Sequence, residues 1–212
     1  MRLRRIPQAR SLVNEHALAI TEQEAYKLPG CWPQVFGANK PLHVELGMGQ
    51  GHFLEAMALA HPEHNYLGLE RRAEPLLWLL KRLKQPYPEN LRILLGEAAQ
   101  LTNICAPQEI HTLYLFFPDP WPKSRHAKRR LTAPTFARQY LQVLEPAGRL
   151  IFKTDDAAFY DWSCNVFNEA GFLTPKAAEN GPEILEEIST YYEERFRAFG
   201  RRIYYAQFMK PH

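Results

Sequence analysis

Short apolar runs alternate with longer segments of helical periodicity from residue 41 onward. The apolar runs, which predict buried strands, are residues 41–46, 65–70, 91–96, 111–117 and 148–154. Between and after them, apolar residues recur every three or four positions, which predicts helices at residues 51–60, 73–83, 132–144 and 157–170. The third of these helices is expected to begin at Thr132 and Pro134, with the threonine as its cap. Strands that alternate with helices of about ten residues are typical of a parallel sheet covered on both faces.

The two ends of the chain depart from this pattern. Residues 201–209 predict a last strand that lies antiparallel beside the others, after a short helix and a break at Gly200. Residues 1–35 show only weak helical periodicity, and we interpret them as a basic N-terminal appendage to a domain at residues 36–212. We therefore predict an α/β fold with a doubly wound, mostly parallel sheet of about seven strands whose last strand is antiparallel.

Composition and charge are those of an ordinary globular protein. The 212 residues, 46% of them hydrophobic, suffice for one domain with its own core. Because the net charge is only +3, affinity for nucleic acid would depend on local groups of cations, which occur at residues 1–10 and 123–130. Cys31, Cys105 and Cys164 lie far apart, which favours reduced thiols in a cytoplasmic protein. No segment indicates a secretory signal, a membrane span, a metal motif or an obligate protein partner.

A glycine-rich segment directly follows the first predicted strand. Gly47, Gly49 and Gly51 occupy alternate positions after Glu45, and glycine there lets the backbone turn sharply and approach a ligand. The spacing is not the G-x-G-x-x-G of dinucleotide-binding enzymes, and Glu45 would repel a pyrophosphate. The same carboxylate would attract a ligand that carries an ammonium and a sulfonium, and Glu70 ends the second strand where a carboxylate usually holds a ribose diol. The combination points to S-adenosylmethionine.

The acidic residues of this region also have structural interpretations. Glu45 and Glu70 could each cap a neighbouring helix instead of contacting a ligand. Glu97, which follows the third strand, could accept a hydrogen bond from an adenine amino group or could be an exposed acid in the first turn of the next helix.

A proline-rich segment, residues 118–122, follows the fourth strand and is called the elbow below. It lies at the carboxyl end of the predicted sheet, where open α/β folds bind ligands. The prolines restrict the backbone and hold Asp119 and Trp121 in fixed directions. Trp121 could stack on a displaced base or pack beneath the elbow.

Residues 123–130, the basic strip, contain five cations and no acid: Lys123, Arg125, Lys128, Arg129 and Arg130. A solvated loop would normally mix acids with its bases for solubility. The position of the basic strip beside a predicted active site favours contact with the phosphates of a nucleic acid over a simple solvated loop.

Three segments together resemble one known family. The run PDPWPKSRHAKRRL, with ELGMGQG upstream and STYYEERFRAFGRRIY downstream, is similar to the bacterial tRNA (guanine-N7)-methyltransferases, which modify the variable-loop guanosine at position 46 of tRNA. The resemblance covers nearly all of residues 41–204. It implies a Rossmann-like class I methyltransferase fold, S-adenosylmethionine as the cofactor and tRNA as the partner.

The resemblance also implies roles for individual residues. The family's acids that contact the methyl donor match Glu45, Glu70, Glu97 and Asp119, and Asp119 also matches its catalytic residue. Its substrate-binding positions match Lys123, Asp155, Thr190, Tyr191, Tyr192 and Glu193. Its RNA-contacting segment matches Arg125, His126, Lys128, Arg129 and Arg130. The letters T-x-x-E at residues 190–193 also form a capping box, and the two roles are compatible.

Three other functions fit parts of the sequence. A nicotinamide-dependent dehydrogenase would need the G-x-G-x-x-G loop that this chain lacks. A non-catalytic tRNA-binding protein could retain a pocket for S-adenosylmethionine, although the full set of acids around the glycines argues against such decay. A methyltransferase for an exocyclic amine or for glutamine would carry N-P-P-Y at the elbow, where this chain has PDPW.

Overall fold

The computed structural model describes residues 6–174 and 199–212. The chain forms two compact units, Met1–Ala106 and Pro107–His212. Among these residues, seven strands make up a mostly parallel sheet in which the last strand is antiparallel, as the sequence predicts. No helix among the described residues is long and apolar enough to cross a membrane.

The first unit contains four parallel strands in the order β1-β4-β3-β2. They are β1 (Ala19–Ile20), β2 (Leu42–Leu46), β3 (Asn65–Glu70) and β4 (Leu91–Leu95). Its helices are α1 (Ala9–Asn14), α2 (Glu22–Ala25), α3 (Trp32–Phe36), α4 (His52–Ala60), α5 (Ala73–Arg82) and α6 (Leu101–Ile104), and a 3₁₀ turn, Ala98–Gln100, precedes α6. Leu46 pairs with Leu69, and Glu70 pairs with Leu95. These pairings bring the carboxyl ends of three strands, and the loops that follow them, to one edge.

Hydrophobic burial explains why these segments adopt their structures. All five residues of β2 are buried, as expected for a strand covered on both faces. In α5 the side chains of Leu76, Leu77, Leu79 and Leu80 are buried, while Trp78 on the other side is exposed. This amphipathic pattern is the one that the helical periodicity predicts.

The described part of the second unit contains two parallel strands, β5 (Ile110–Phe116) and β6 (Leu144–Thr154), and β7 (Tyr204–Met209), which is antiparallel to β6. Its helices are α7 (Pro134–Val143) and α8 (Ala157–Ala170), and a 3₁₀ helix spans Ser124–Arg129. Aromatic side chains from β6, α8 and β7 pack in its core. The Phe167 ring centroid lies 6.4 Å from that of Phe152 and 5.0 Å from that of Phe208.

Two details of the prediction are wrong. The cap residue of α7 is Ala133, whose methyl side chain cannot make a capping hydrogen bond. The Thr132 hydroxyl does not cap the helix but accepts a hydrogen bond from Ser163 Oγ at 2.9 Å. Strand β6 begins at Leu144 rather than at residue 148, since Ile110 of β5 extends the pairing to that position. The short helix predicted before Gly200 lies outside the described residues.

The described part of residues 1–35 packs within the first unit. Val13 and Trp32 are buried, and Trp32 Nε1 donates a hydrogen bond to the Ile104 carbonyl at 3.0 Å. The two-residue strand β1 pairs with β4. Such a short strand has no periodicity that a sequence pattern could reveal. The domain boundary at residue 35 stays a prediction.

Candidate active site

The glycine loop, residues 47–51, connects β2 to α4 and is held against the end of β3. Gly47 N and Met48 N both donate hydrogen bonds to the Leu69 carbonyl, at 2.8 and 3.1 Å. Gly49 has φ +55°, and a Cβ added there would meet nothing within 4 Å. Gly51 has φ +65°, and an added Cβ would lie 2.6 Å from Met48 Cε. Gly49 therefore leaves open space beside the loop, whereas Gly51 permits the close packing of the first turn of α4.

Glu45 lies one residue before the end of β2, and only 4% of it is exposed. Its Oε2 atom is buried and has no hydrogen-bond partner among the described residues. Burial, with a smaller effect from the negative charge of Glu70, raises the pKa of Glu45 from 4.5 to about 8. A buried carboxyl without a partner is costly in a folded protein unless a ligand supplies the missing interaction. Glu45 therefore fits a ligand that carries a positive charge.

Glu70, the last residue of β3, links the glycine loop to the start of α5. Its Oε2 accepts a hydrogen bond from Gly49 N at 3.1 Å, and its Oε1 accepts one from Arg72 N at 3.0 Å. Burial raises the pKa of Glu70, and the two backbone hydrogen bonds act in the opposite direction. Since Arg72 is the N-cap residue of α5, Glu70 does interact with a helix start, but it also fixes the conformation of the loop.

Glu97 follows β4 and is exposed. The amide of the preceding Gly96 donates to the Glu70 carbonyl at 3.1 Å, so the backbones of these two segments are adjacent. Glu97 is the N-cap residue of the 3₁₀ turn, yet its side chain makes no capping hydrogen bond. The carboxylate is therefore accessible at the same edge as the glycine loop, and its contact with adenine stays a prediction.

Arg82 is a residue of this site that the sequence did not indicate. Its Nη2 donates a hydrogen bond to the Gln50 carbonyl at 3.0 Å, and its Nε donates to Glu55 Oε2 at 2.9 Å. Arg82 thereby joins the end of α5 to both the glycine loop and α4. Its partners lie 27 and 32 residues away in the chain, so no local pattern could have shown the contact.

The elbow of the second unit is held by hydrogen bonds to the backbone of Phe117 and of Trp121. Before it, Phe117 N donates to the Lys153 carbonyl at 2.8 Å. Within it, the Trp121 carbonyl accepts a hydrogen bond from Arg130 Nη2 at 3.2 Å. Phe117 and Trp121 have φ values of +49° and +41°, which bulky residues rarely adopt and which the surrounding contacts must enforce. Between these two anchored points, Asp119 is exposed.

The Trp121 ring is half-buried and is covered by residues of the basic strip. The Arg129 guanidinium lies 5.2 Å from its centroid, and the His126 ring meets it edge-on at 5.7 Å. Trp121 is thus a cation–π partner of the strip. Stacking of this ring on a base stays a prediction.

The cations of the basic strip are not equivalent. Lys123, Arg125, Lys128 and Arg129 are exposed, and within the described part of the chain none of them forms an ion pair. Arg130 is instead half-buried, and its guanidinium lies 4.3 Å from the Trp162 ring centroid. Arg130 is the C-cap residue that follows the 3₁₀ helix, and its extended backbone does not continue the helical arrangement of Arg125, Lys128 and Arg129.

The predicted substrate-binding residues are only partly described. Asp155 is half-buried, and its Oδ2 accepts a hydrogen bond from Arg201 Nη1 at 2.7 Å. Its neighbour Asp156 caps α8 by accepting from Phe159 N at 2.9 Å. Thr190, Tyr191, Tyr192 and Glu193 lie outside the described residues.

Within residues 6–174 and 199–212, no three or more His, Cys, Asp or Glu side chains are placed to hold a metal ion. Cys31, Cys105 and Cys164 form no disulfide with one another.

Comparison with known proteins identifies the family. The family model described as "Putative methyltransferase" matches residues 39–206. The tRNA (guanine-N(7)-)-methyltransferase of Brevibacillus brevis is 39% identical over 207 residues, which cover 96% of each chain. The enzyme of the same name from Bacillus subtilis strain 168 is 37% identical over 210 residues, covering 98% of each chain. The chain belongs to the tRNA (guanine-N(7)-)-methyltransferase family. The predicted family and the prediction of a methyltransferase are confirmed.

Solved structures of methyltransferases share the fold. The 16S rRNA methyltransferase KamB has a TM-score of 0.66 at 14% identity, over 86% of this chain and 94% of that one. The 16S rRNA (adenine(1408)-N(1))-methyltransferase from Catenulisporales acidiphilia has a TM-score of 0.61 at 12% identity, over 87% of this chain and 94% of that one. The predicted Rossmann-like class I methyltransferase fold is confirmed.

Proposed function

We propose that this protein transfers the methyl group of S-adenosylmethionine to N7 of the guanosine at position 46 of tRNA, in the cytoplasm. The observation that carries the proposal is the buried Glu45 carboxyl without a partner, next to a glycine loop that Glu70 holds. A cationic donor would supply the missing interaction, and the open space at Gly49 leaves room for it. The residues of the first unit therefore fit S-adenosylmethionine.

The acids of the first unit have separate roles in this proposal. Ionised Glu45 balances the positive charge of the donor, and Gly49 lets the donor approach the loop backbone. Glu70 holds the loop and is placed at a strand end, where a carboxylate usually binds a ribose diol. Glu97 is exposed at the same edge and accepts from the adenine amino group. When bound, the cofactor supplies a sulfonium methyl group that is open to nucleophilic attack.

Guanine N7 needs orientation rather than deprotonation. Its in-plane lone pair is unprotonated at neutral pH, so no general base is required. Correct orientation of two reactants is worth roughly 7 to 11 kcal/mol in well-aligned systems. In this proposal Asp119 accepts hydrogen bonds from the N–H edge of guanine and fixes its direction, and its negative charge stabilises the purine cation that forms. Anchoring of the elbow at Phe117 and Trp121 keeps the Asp119 backbone in place.

Most of the remaining predicted residues bind the tRNA. The exposed cations Lys123, Arg125, Lys128 and Arg129 contact phosphates, which contributes affinity and little sequence information. Asp155 and residues 190–193 complete the binding of the substrate, as the family resemblance implies. Asp155 would exchange its contact with Arg201 for one with the tRNA or share the carboxylate between both.

Methyl transfer to unmodified tRNA tests this function. Wild-type protein is incubated with labelled donor and tRNA, and the product is cleaved chemically at 7-methylguanosine to locate the modified position. We expect cleavage at position 46. We expect Asp119→Asn to lower kcat on the order of 100-fold while changing tRNA affinity little, because it removes charge but leaves the shape.

The exposed Asp161 on α8 provides the matched control, since Asp161→Asn removes the same charge at a position that has no role in the proposal. Methylation at another base or position would refute the assignment of the substrate atom. Binding of tRNA without any transfer by the wild-type protein would support a non-catalytic tRNA-binding protein instead.

A further inference from the structure

Arg129 and Arg130 are adjacent in sequence but lie in different surroundings. Arg129 is exposed, and its guanidinium lies over the Trp121 ring, 5.2 Å from the centroid. Arg130 is half-buried, with its guanidinium 4.3 Å from the Trp162 centroid and 5.5 Å from the Phe159 centroid. Its Nε is buried and has no hydrogen-bond partner among the described residues. A guanidinium that is half-buried against two aromatic rings is poorly placed to bind a solvated phosphate.

The hydrogen bond of Arg130 is directed at the elbow. Its Nη2 donates to the carbonyl of Trp121, the residue whose φ of +41° is rarely adopted outside glycine. A strained backbone persists only when neighbouring contacts hold it. The Arg130 side chain is such a contact, since it joins the elbow to the aromatic face of α8.

The segment that carries Arg130 is itself fixed to the rest of the second unit. The Leu131 carbonyl accepts a hydrogen bond from the Tyr140 hydroxyl at 2.7 Å, and Thr132 Oγ1 accepts from Ser163 Oγ at 2.9 Å. Trp162 precedes Ser163 in α8 and stacks on Phe159 with a centroid separation of 6.4 Å and an interplanar angle of 22°. Both sides of the Arg130–Trp162 contact are therefore held in place.

We propose that Trp162 and Arg130 are positioning residues for methyl transfer, which set the backbone of the elbow and thereby the direction of Asp119. Neither side chain contacts the tRNA. Arg130 thus differs from Arg125, Lys128 and Arg129, for which contact with phosphates is proposed. The inference rests on the proposed function for its kinetic consequence, but its structural consequence can be measured without any reaction.

Salt dependence and turnover separate a positioning residue from a phosphate contact. Log affinity for tRNA falls linearly with log salt concentration, and the loss of one phosphate contact makes this slope less steep by about 1. We expect that reduction in Arg129→Ala, and we expect Arg130→Ala to keep the wild-type slope. Displacement of a catalytic group by about 1 Å costs on the order of 100-fold in rate, so kcat should fall by roughly 10- to 100-fold in Arg130→Ala. If Arg130→Ala instead made the salt dependence of affinity less steep and left kcat unchanged, the inference would be overturned.

Substitutions at Trp162 test the cation–π contact itself. Trp162→Leu is expected to lower kcat roughly tenfold with little change in the KM for tRNA, because the face beneath the guanidinium is lost. Trp162→Phe keeps a ring and should retain most of kcat. Arg130→Lys should not rescue activity, since an ammonium cannot stack and donate in the geometry of a guanidinium. Equal kcat in Trp162→Leu and the wild type would contradict the proposed role.

Hydrogen exchange supplies a readout that does not depend on activity. The amides of the elbow peptide, residues 116–124, should exchange faster in Arg130→Ala and in Trp162→Leu than in the wild type, and Arg129→Ala should change them less. Wild-type exchange rates in both variants would refute the inference even if the protein proved to methylate another substrate. Thermal melting of each variant shows whether it is folded. If Trp162→Leu does not fold, Trp162→Phe provides a milder change at the same position. Absence of transfer by the wild type, by contrast, would count only against the proposed function.

Discussion

Replacement of Glu45 by glutamine tests the buried carboxyl on which the donor site depends. Glu45 is 4% exposed, and its Oε2 has no hydrogen-bond partner within the described residues. Glutamine has nearly the same shape but cannot ionise, so Glu45→Gln removes the free-energy cost of keeping this acid protonated above its ordinary pKa, without opening a cavity. The variant should be more stable than the wild type at neutral pH and should bind the donor less tightly.

The size of the effect follows from the pKa of Glu45. Burial raises that pKa from 4.5 to about 8, while the unfolded chain ionises at the ordinary value. Between these two pH values the folded protein keeps a proton that the unfolded chain has lost. The free energy of unfolding of the wild type therefore falls by about 1.4 kcal/mol for each unit that the pH rises. Over the 2.5 pH units from 4.5 to 7, the loss is about 3 kcal/mol. Glu45→Gln should not show this loss.

Urea unfolding at pH 5, 6, 7 and 8 without donor measures the difference. We expect the stability of Glu45→Gln relative to the wild type to increase with pH and to level off above pH 8. Glu169→Gln is the matched control, because Glu169 is exposed on α8 and its replacement should leave the pH dependence unchanged. Parallel pH profiles for the wild type and Glu45→Gln would refute the interpretation of Glu45 as a costly buried acid.

Donor binding should depend on pH in the opposite sense. A cationic ligand favours the ionised carboxylate, so binding releases a proton from Glu45 at pH 7 and the affinity should rise until about pH 8. Isothermal titration in buffers of different ionisation enthalpy detects this proton. Glu45→Gln should release none and should bind the donor about 10- to 100-fold more weakly, as for other hydrogen bonds to charged groups. Equal proton release by the wild type and Glu45→Gln would show that the proton released on donor binding comes from another group.

The glycine loop gives two further predictions. Gly51→Ala should lower the free energy of unfolding by about 2 kcal/mol or more, because the new Cβ would lie 2.6 and 2.7 Å from a methionine and a leucine side chain. Gly49→Ala should lower the free energy of unfolding by only about 1 kcal/mol, because of its positive φ, but it should weaken donor binding. Measuring both stability and affinity therefore distinguishes the packing role of Gly51 from the ligand-binding role of Gly49. Arg82→Leu removes the hydrogen bonds to Gln50 and Glu55, so we expect a loss of about 1.5 kcal/mol in stability and a several-fold weaker affinity for S-adenosylhomocysteine in titrations. Unchanged affinity would show that the loop keeps its conformation without Arg82.

Local patterns in the sequence determined the order of strands and helices and the segments that carry chemistry. Alternation of short apolar runs with helical periodicity depends only on residues a few positions apart, so the parallel sheet and the antiparallel last strand could be predicted. The glycine loop and the elbow were predicted for the same reason, since each is continuous in the chain. Their placement after β2 and β5 puts both at carboxyl ends of strands.

Only the tertiary structure decided which side chains have hydrogen-bond partners and which way the side chains point. Arg129 and Arg130 are chemically identical neighbours, and the contact with Trp162, 32 positions farther along, distinguishes one from the other. Arg82 and Thr132 likewise have partners that are remote in sequence, which is why the first was not predicted and the second was assigned a wrong role. The missing partner of Glu45 is also a property of its whole surroundings. Periodicity reports on neighbours in the chain, whereas hydrogen bonding and burial depend on residues that folding brings together.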